Sequence, residues 1–284
     1  MIITLKGADA SSLGLGQIEM PIEIQEETLA ILAKTSRYTQ GSEQTMFLNR
    51  FIYDLKQEGI YTKIGMFIPT FMCNSLQEAA YDAISDSYLT WLNPGTYNQT
   101  NHTIAGTSTA YASGINLTKQ ALGNFHFNSS ASYVWRYSPT GSSTSKSWFL
   151  YIDNRNSNIT ILPICAKNAN PQNTSNRFYK EVSNKKGVFA LNLVGTNLPS
   201  DGTKVYDSQS DTIETLTATS VVEVTNLSTL ELQPQYLGIG GYNDTPVSVK
   251  SEFHILGNNQ NLTDEEFLTF SRLCIRLYDS LQSL

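Results

Sequence analysis

Carboxylates come first, because a pair flanking a scissile bond is how glycosides are usually hydrolysed. In "SDTIE", Asp211 and Glu214 stand three apart, a spacing that would send them to opposite faces of a strand. The acidic cluster of "LTDEEF" is accounted for by helix capping: Thr263 is an N-cap and Glu266, three residues on, completes a capping box. His102, His126 and His254 lie on separate segments, with no Gly-x-Ser-x-Gly elbow, His-Glu-x-x-His pair or phosphate-cradling loop beside them. "GLG" near the N-terminus and "GIGG" at 238–241 lack a strand–GxGxxG–helix setting and read as turns. No catalytic residue emerges, and the expectation is a chain that is not an enzyme.

Sugar binding needs aromatic faces for stacking and amides or carboxylates for the hydroxyls. Trp91, Tyr97 and Asn98 fall in the long polar stretch "WLNPGTYNQTNHT", read as a loop. Trp135 and Tyr137 share one strand face by period two. Core packing is the competing role for Trp135 and for Trp148. Asp153 with Asn154 and Asn156, or Asn243 with Asp244, could offer oxygen ligands to Ca²⁺. Turn formation explains these clusters more simply, as for "DNRN" in a hairpin between "SWFLYI" and "SNITIL". No cofactor is assigned.

The elements that would position these residues divide the chain in three. Residues 1–24 read as an extended arm with β-prone "MIITLKG", Gly/Ser-rich "ASSLGLG" and alternating "IEMPIEI". Ile2, Ile3 and Leu5 are its candidate assembly residues, able to add a strand to a partner's sheet edge. Residues 25–100 form a helical preamble with the first strands. "QEETLAILAK" is one helix; residues 43–58 form a second, with Phe47, Leu48, Phe51, Ile52 and Leu55 on one face and Gly59 as its stop. "KIGMFIPTF" then reads as a buried strand that Pro69 limits or sets near an edge. Residues 101–284 alternate short strands with turn signals about every ten residues, as sandwiches and barrels do. No repeat of solenoid or propeller period is visible. A final helix closes the chain, with Leu262 and Phe267 at the staple positions and a stripe of Phe270, Cys274, Leu277 and Leu281.

Composition narrows the partners. The 284 residues carry a net charge of −6 and are only 15% charged, against roughly a quarter in average soluble proteins. No Lys/Arg run suits nucleic acid, and no apolar run approaches the ~20 residues of a membrane span. The first residues lack a signal-peptide pattern, so cytoplasmic synthesis is expected and the nine Asn-x-Ser/Thr sequons follow from an Asn/Ser/Thr-rich composition. Three distant cysteines, Cys73, Cys165 and Cys274, read as buried free thiols.

The order of these elements resembles a family. A helical preamble ending "LKQEGIYTKIGMFIP" leads to "TIAGTSTAYASGINLT", two aromatic strands, and a closing "YLGIGG … FHILG … LTDEE" before the last helix. This is similar to the concanavalin A-like lectin/glucanase superfamily in its laminin-G-like form, over roughly residues 25–284. The preamble resembles variants in bacteriophage structural proteins, and "LKGADASSLGLG" resembles N-termini of virion proteins from phages of gut Bacteroidota, crAss-like phages included. The resemblance implies a mainly β jelly-roll sandwich. The superfamily's glucanases share a Glu-x-Asp-x-(x)-Glu strand motif that is missing here. The resemblance further implies a non-enzymatic virion protein, a head or tail fibre or decoration, assembled in the host cytoplasm. Its partners would be itself as a dimer or trimer, other virion proteins through the arm, and host-surface glycans. A free-standing carbohydrate-binding module and a glycoside hydrolase are the alternatives, separable by genomic neighbourhood and by turnover of a polysaccharide panel.

Overall fold

A computed structural model of the chain describes residues 22–91, 96–100, 102–105, 110–111, 120–127, 133–138, 151–153, 159–165, 177–182, 186–193, 203–208, 210–216, 236–241, 249–250, 252–258 and 262–284. Both expected preamble helices are present. Helix α1 spans Glu26–Lys34 and α2 spans Glu43–Gln57, the latter capped by Ser42, whose hydroxyl accepts the Thr45 N–H. Leu48, Phe51, Ile52 and Leu55 are buried, and Gly59 ends the helix with φ +68°. That left-handed turn is one glycine adopts without penalty.

Strand β1 (Ile64–Ile68) stops one residue before Pro69 and pairs antiparallel with β18 (His254–Gly257). It ends a seven-stranded sheet, as Pro69 suggested. The order is β1, β18, β8 (Gln120–Phe127), β13 (Lys186–Leu193), β14 (Thr203–Asp207) and β15 (Thr212–Leu216), with β17 (Val249–Lys250) also on β8. A three-stranded sheet joins β10 (Tyr151–Asp153), β11 (Ile159–Cys165) and β12 (Arg177–Val182). Strands β10 and β11 pair antiparallel, and the expected "DNRN" turn between them lies, apart from Asp153, outside the described residues. A four-stranded sheet runs β4 (Thr90–Trp91), β7 (Ala110–Tyr111), β16 (Tyr236–Gly241) and β9 (Tyr133–Ser138). Two hairpins complete the set: β2 (Tyr81–Asp82) with β3 (Ser87–Tyr88), and β5 (Thr96–Asn98) with β6 (Thr103–Ala105).

The fold is therefore mainly β and antiparallel, as expected. Two details differ. "GIGG" lies inside β16 rather than in a turn, and the predicted loop from Trp91 to Asn98 holds parts of β4 and β5. The predicted strand "ATSVVEV" lies outside the described residues.

Helix α3 (Asp264–Gln282) starts on the predicted capping box: Glu266 N–H donates to Thr263 Oγ1 at 3.1 Å, and Thr263 N–H to Glu266 Oε2 at 2.8 Å. Its stripe, Phe267, Phe270, Cys274, Leu277 and Leu281, is buried, and α3 packs on α2, β13 and β15. Asp54 ties the two helices, accepting Arg50 Nε at 2.9 Å and Arg276 Nη1 at 2.8 Å. The two ends of the chain thus build one base, where the Phe51 ring lies 5.8 Å from Phe67 and 6.4 Å from Phe253.

Two hairpins in this base are copies of one design. "YDAISDSYLTW" at 81–91 and "YDSQSDTIETL" at 206–216 agree at five of eleven positions. Tyr81 pairs Tyr88 and Asp82 pairs Ser87; likewise Tyr206 pairs Ile213 and Asp207 pairs Thr212. The fourth loop residue, Asp86 or Asp211, has φ +47° or +53° and accepts the tyrosine hydroxyl at 3.1 or 3.0 Å. Each aspartate also meets a cation from a helix: Lys34 of α1 at 3.7 Å, or Arg272 of α3 at 2.8 Å.

Candidate functional site

Tyr97 is the one sugar-stacking candidate whose side chain is described. Its hydroxyl donates to Thr70 O at 2.7 Å and Cys73 O at 3.3 Å, and burial pushes the phenol well above its ordinary range. The polar end therefore braces backbone, and only the half-buried ring remains for a ligand. Around it, Arg37 Nη1 donates to Gln99 O at 2.6 Å and to His102 Nδ1 at 2.8 Å. A guanidinium has no acceptor, so Nδ1 is the acceptor and His102 carries its proton on Nε2. His102 is buried with φ +54°, a conformation tolerated where neighbours hold it. Glu78 accepts Ser36 Oγ at 2.7 Å and Asn74 N–H at 2.7 Å, so α1's exit, the 70–78 segment and β5 are fastened together. Cys73 beneath them is buried and its thiol is pushed up by desolvation, which makes it unreactive.

The other candidates are placed by register. Trp91 pairs Ala110, Ala110 pairs Leu237 and Leu237 pairs Tyr137, one row across the four-stranded sheet. Trp135, two residues before Tyr137, shares that face and pairs Ile239. The structure thus brings Trp91, Trp135 and Tyr137 to one sheet face, while Tyr97 and Asn98 lie on β5, where Asn98 pairs Thr103. The row is apolar throughout, the pattern of a core-directed face in an antiparallel sheet. The alternate face carries Thr90, Tyr111, Tyr236 and Ser138 in one row, with Gly238 paired to Arg136 in the next. Apart from Gly238, read within a turn, none of these residues was singled out from sequence. The alternating glycines of "YLGIGG" were the available signal.

Among the described residues no three His, Cys, Asp or Glu side chains cluster as metal ligands. Asp153 ends β10, pairing Thr160; Asn243, Asp244, Ile2, Ile3 and Leu5 lie outside the described residues. Asp211, considered with Glu214 as a carboxylate pair, sits at a hairpin tip, held by both Arg272 Nε and Nη2. His254 is fully buried, which drives its imidazole down to about 3. No helix among the described residues is long and apolar enough to cross a membrane.

No protein-family model matches the chain, and no curated protein matches it. Among solved structures, it is similar to Trypanosoma rangeli sialidase in complex with a difluoro-KDN, with 12% identity and TM-score 0.48 over 82% of this chain and 40% of that one. It is similar also to the same organism's sialidase in complex with difluorosialic acid, with 13% identity and TM-score 0.46 over 82% and 39%. The chain spans about two fifths of the length of those proteins. The sequence-based exclusion of an enzyme is corrected here: the similar solved structures are sialidases, so that exclusion is withdrawn.

Proposed function

We propose that the chain is a bacteriophage virion structural protein, a head or tail fibre or a decoration protein. Its N-terminal arm mounts it, and a concanavalin A-like jelly-roll sandwich faces host-surface glycans. The observation that supports the reading is Asn49. Its Oδ1 accepts the Gln25 N–H at 2.7 Å and the Thr28 hydroxyl at 3.0 Å, and its Nδ2 donates to Glu23 O at 3.3 Å. Lys56 adds a 2.5 Å pair to Glu27. Residues 23–28 are therefore fastened to α2, itself tied to α3. An arm that transmits load or fixes geometry in an assembly needs such a root.

The charge-poor, Asn/Ser/Thr/Tyr-rich composition suits a polar partner, and symmetric copies would multiply weak glycan sites into useful avidity. A glycan array probed with the full chain tests the display half. Retention of a defined glycan set supports the reading, and no retention on any glycan removes it. The same array, read for cleaved as well as retained glycans, reports whether the ligand is turned over.

A further inference from the structure

We infer that the outward face of α1 docks a second copy of this chain, through a two-fold antiparallel pairing of α1 with α1 centred on Ala30. The inference rests on the self-assembling reading above and adds the surface that meets beside the arm.

Thr28 and Ile31 turn one side of α1 into the base, where both are fully buried. With 3.6 residues per turn, the opposite side carries Glu26, Leu29, Ala30 and Ala33. All four are exposed, Leu29 at 42%. A surface helix ordinarily presents charged and polar residues outward, yet three of these four are apolar. Alanine at 30 and 33 also lets a second helix approach to about 8 Å, the close end of helix packing.

Charge placement says what covers this face. Glu26 and Lys34 stand four residues to either side of Ala30, roughly 6 Å each way along the axis. A two-fold axis at Ala30 lays Glu26 of each copy beside Lys34 of the other and sets Leu29 against Leu29. Such self-complementarity is what an isologous interface requires. Parallel pairing would instead set like charges together. Lys34 can take part, because its 3.7 Å contact with Asp86 is solvent-exposed on both sides, and pairs of that kind contribute at most about 1 kcal/mol.

The face also lies at the root of the arm, held in a fixed orientation by the Thr28 and Gln25 bonds to Asn49. Two helices about 14 Å long cannot alone bury the roughly 1,200 Å² of a stable interface. The face therefore works together with the arm.

Sedimentation velocity of the full chain across a concentration series tests the pairing. Ala30→Arg places two cations on the axis and should weaken self-association at least tenfold at unchanged melting temperature. Glu26→Lys and Lys34→Glu should each weaken it alone, while an equimolar mixture of the two should associate as the unmodified chain does. A mixture as weak as its components, or an Ala30→Arg chain that associates normally, overturns the pairing and leaves the arm reading standing. A fall in melting temperature with Ala30→Arg would show the face covered within one copy, and overturns it too. A full chain that sediments as a monomer removes both.

Discussion

The Tyr206 hydroxyl donates to Asp211 at 3.0 Å across a four-residue turn, and Tyr81 makes the same bond to Asp86 at 3.1 Å. Both aspartates have positive φ, a conformation Asn and Asp tolerate better than other non-glycine residues. The two turns are one solution used at both hairpins, and each hands its carboxylate to a helix.

Tyr206→Phe keeps the buried ring and deletes one hydrogen bond, so a loss of about 1 kcal/mol is expected in urea unfolding. Asp211→Ala should lower the melting temperature further than Asp211→Asn, because alanine also resists the positive φ. Equal losses for the two would show that the backbone conformation carries no strain.

Asp82 closes the outer edge of the large sheet. Its carboxylate accepts the Phe67 N–H at 2.9 Å, the Ile84 N–H at 3.0 Å and the Ser85 hydroxyl at 2.6 Å, while Ala83 N–H donates to Phe67 O. Desolvation raises its pKa against the pull of those donors. Asp82→Ala strands buried N–H groups at about 1–3 kcal/mol each, and it reopens a strand edge to intermolecular pairing. Lower stability with concentration-dependent light scattering is the expected result.

Gly65 lies at the bulge of β1, where an added Cβ would come within 2.8 Å of Gly257 O and 2.9 Å of Asn258 Cα. Both obstacles are backbone and cannot swing away. Gly65→Ala should cost about 1–3 kcal/mol by overpacking, measured as a lower urea midpoint at unchanged slope.

Acid should loosen the base in two stages. Burial drives His254 down to about 3, whereas the unfolded chain protonates it near the ordinary 6.5. The unfolded state then binds more protons, so stability falls as pH drops from about 6.5 toward 3. Lys63 beside Glu266 holds that carboxyl low, helped by the Thr263 N–H. Its contribution is present above the ordinary carboxylate value of about 4 and is lost as pH falls through the depressed one. Urea midpoints at stepped pH should show both slopes, and His254→Phe should flatten the first. Thr263→Ala should cost ~0.5–2 kcal/mol at neutral pH without altering glycan retention.

Much of the base was legible because local signals agreed with global packing. The capping box of α3, the apolar face of α2, Gly59 and Pro69 each mean one thing physically, and each does that thing here. The four-stranded sheet was less legible. Period two placed Trp135 and Tyr137 together, but only register adds Trp91 to their face and sets Tyr236 and Tyr111 opposite. The bonds of the Tyr97 hydroxyl were not legible, because a polar surrounding stretch says nothing about backbone carbonyls brought from residues 70 and 73. The hairpin repeat is written in the sequence, at a length far below solenoid or propeller periods.

The central claim is an arm mounted on a rigid base, and sedimentation velocity of the full chain against a chain lacking residues 1–20 tests it most directly. The full chain should sediment as an oligomer. The shortened chain should keep its melting temperature and sediment as a monomer, and Asn49→Ala should fall between them. A shortened chain that assembles as the full one does would contradict the account.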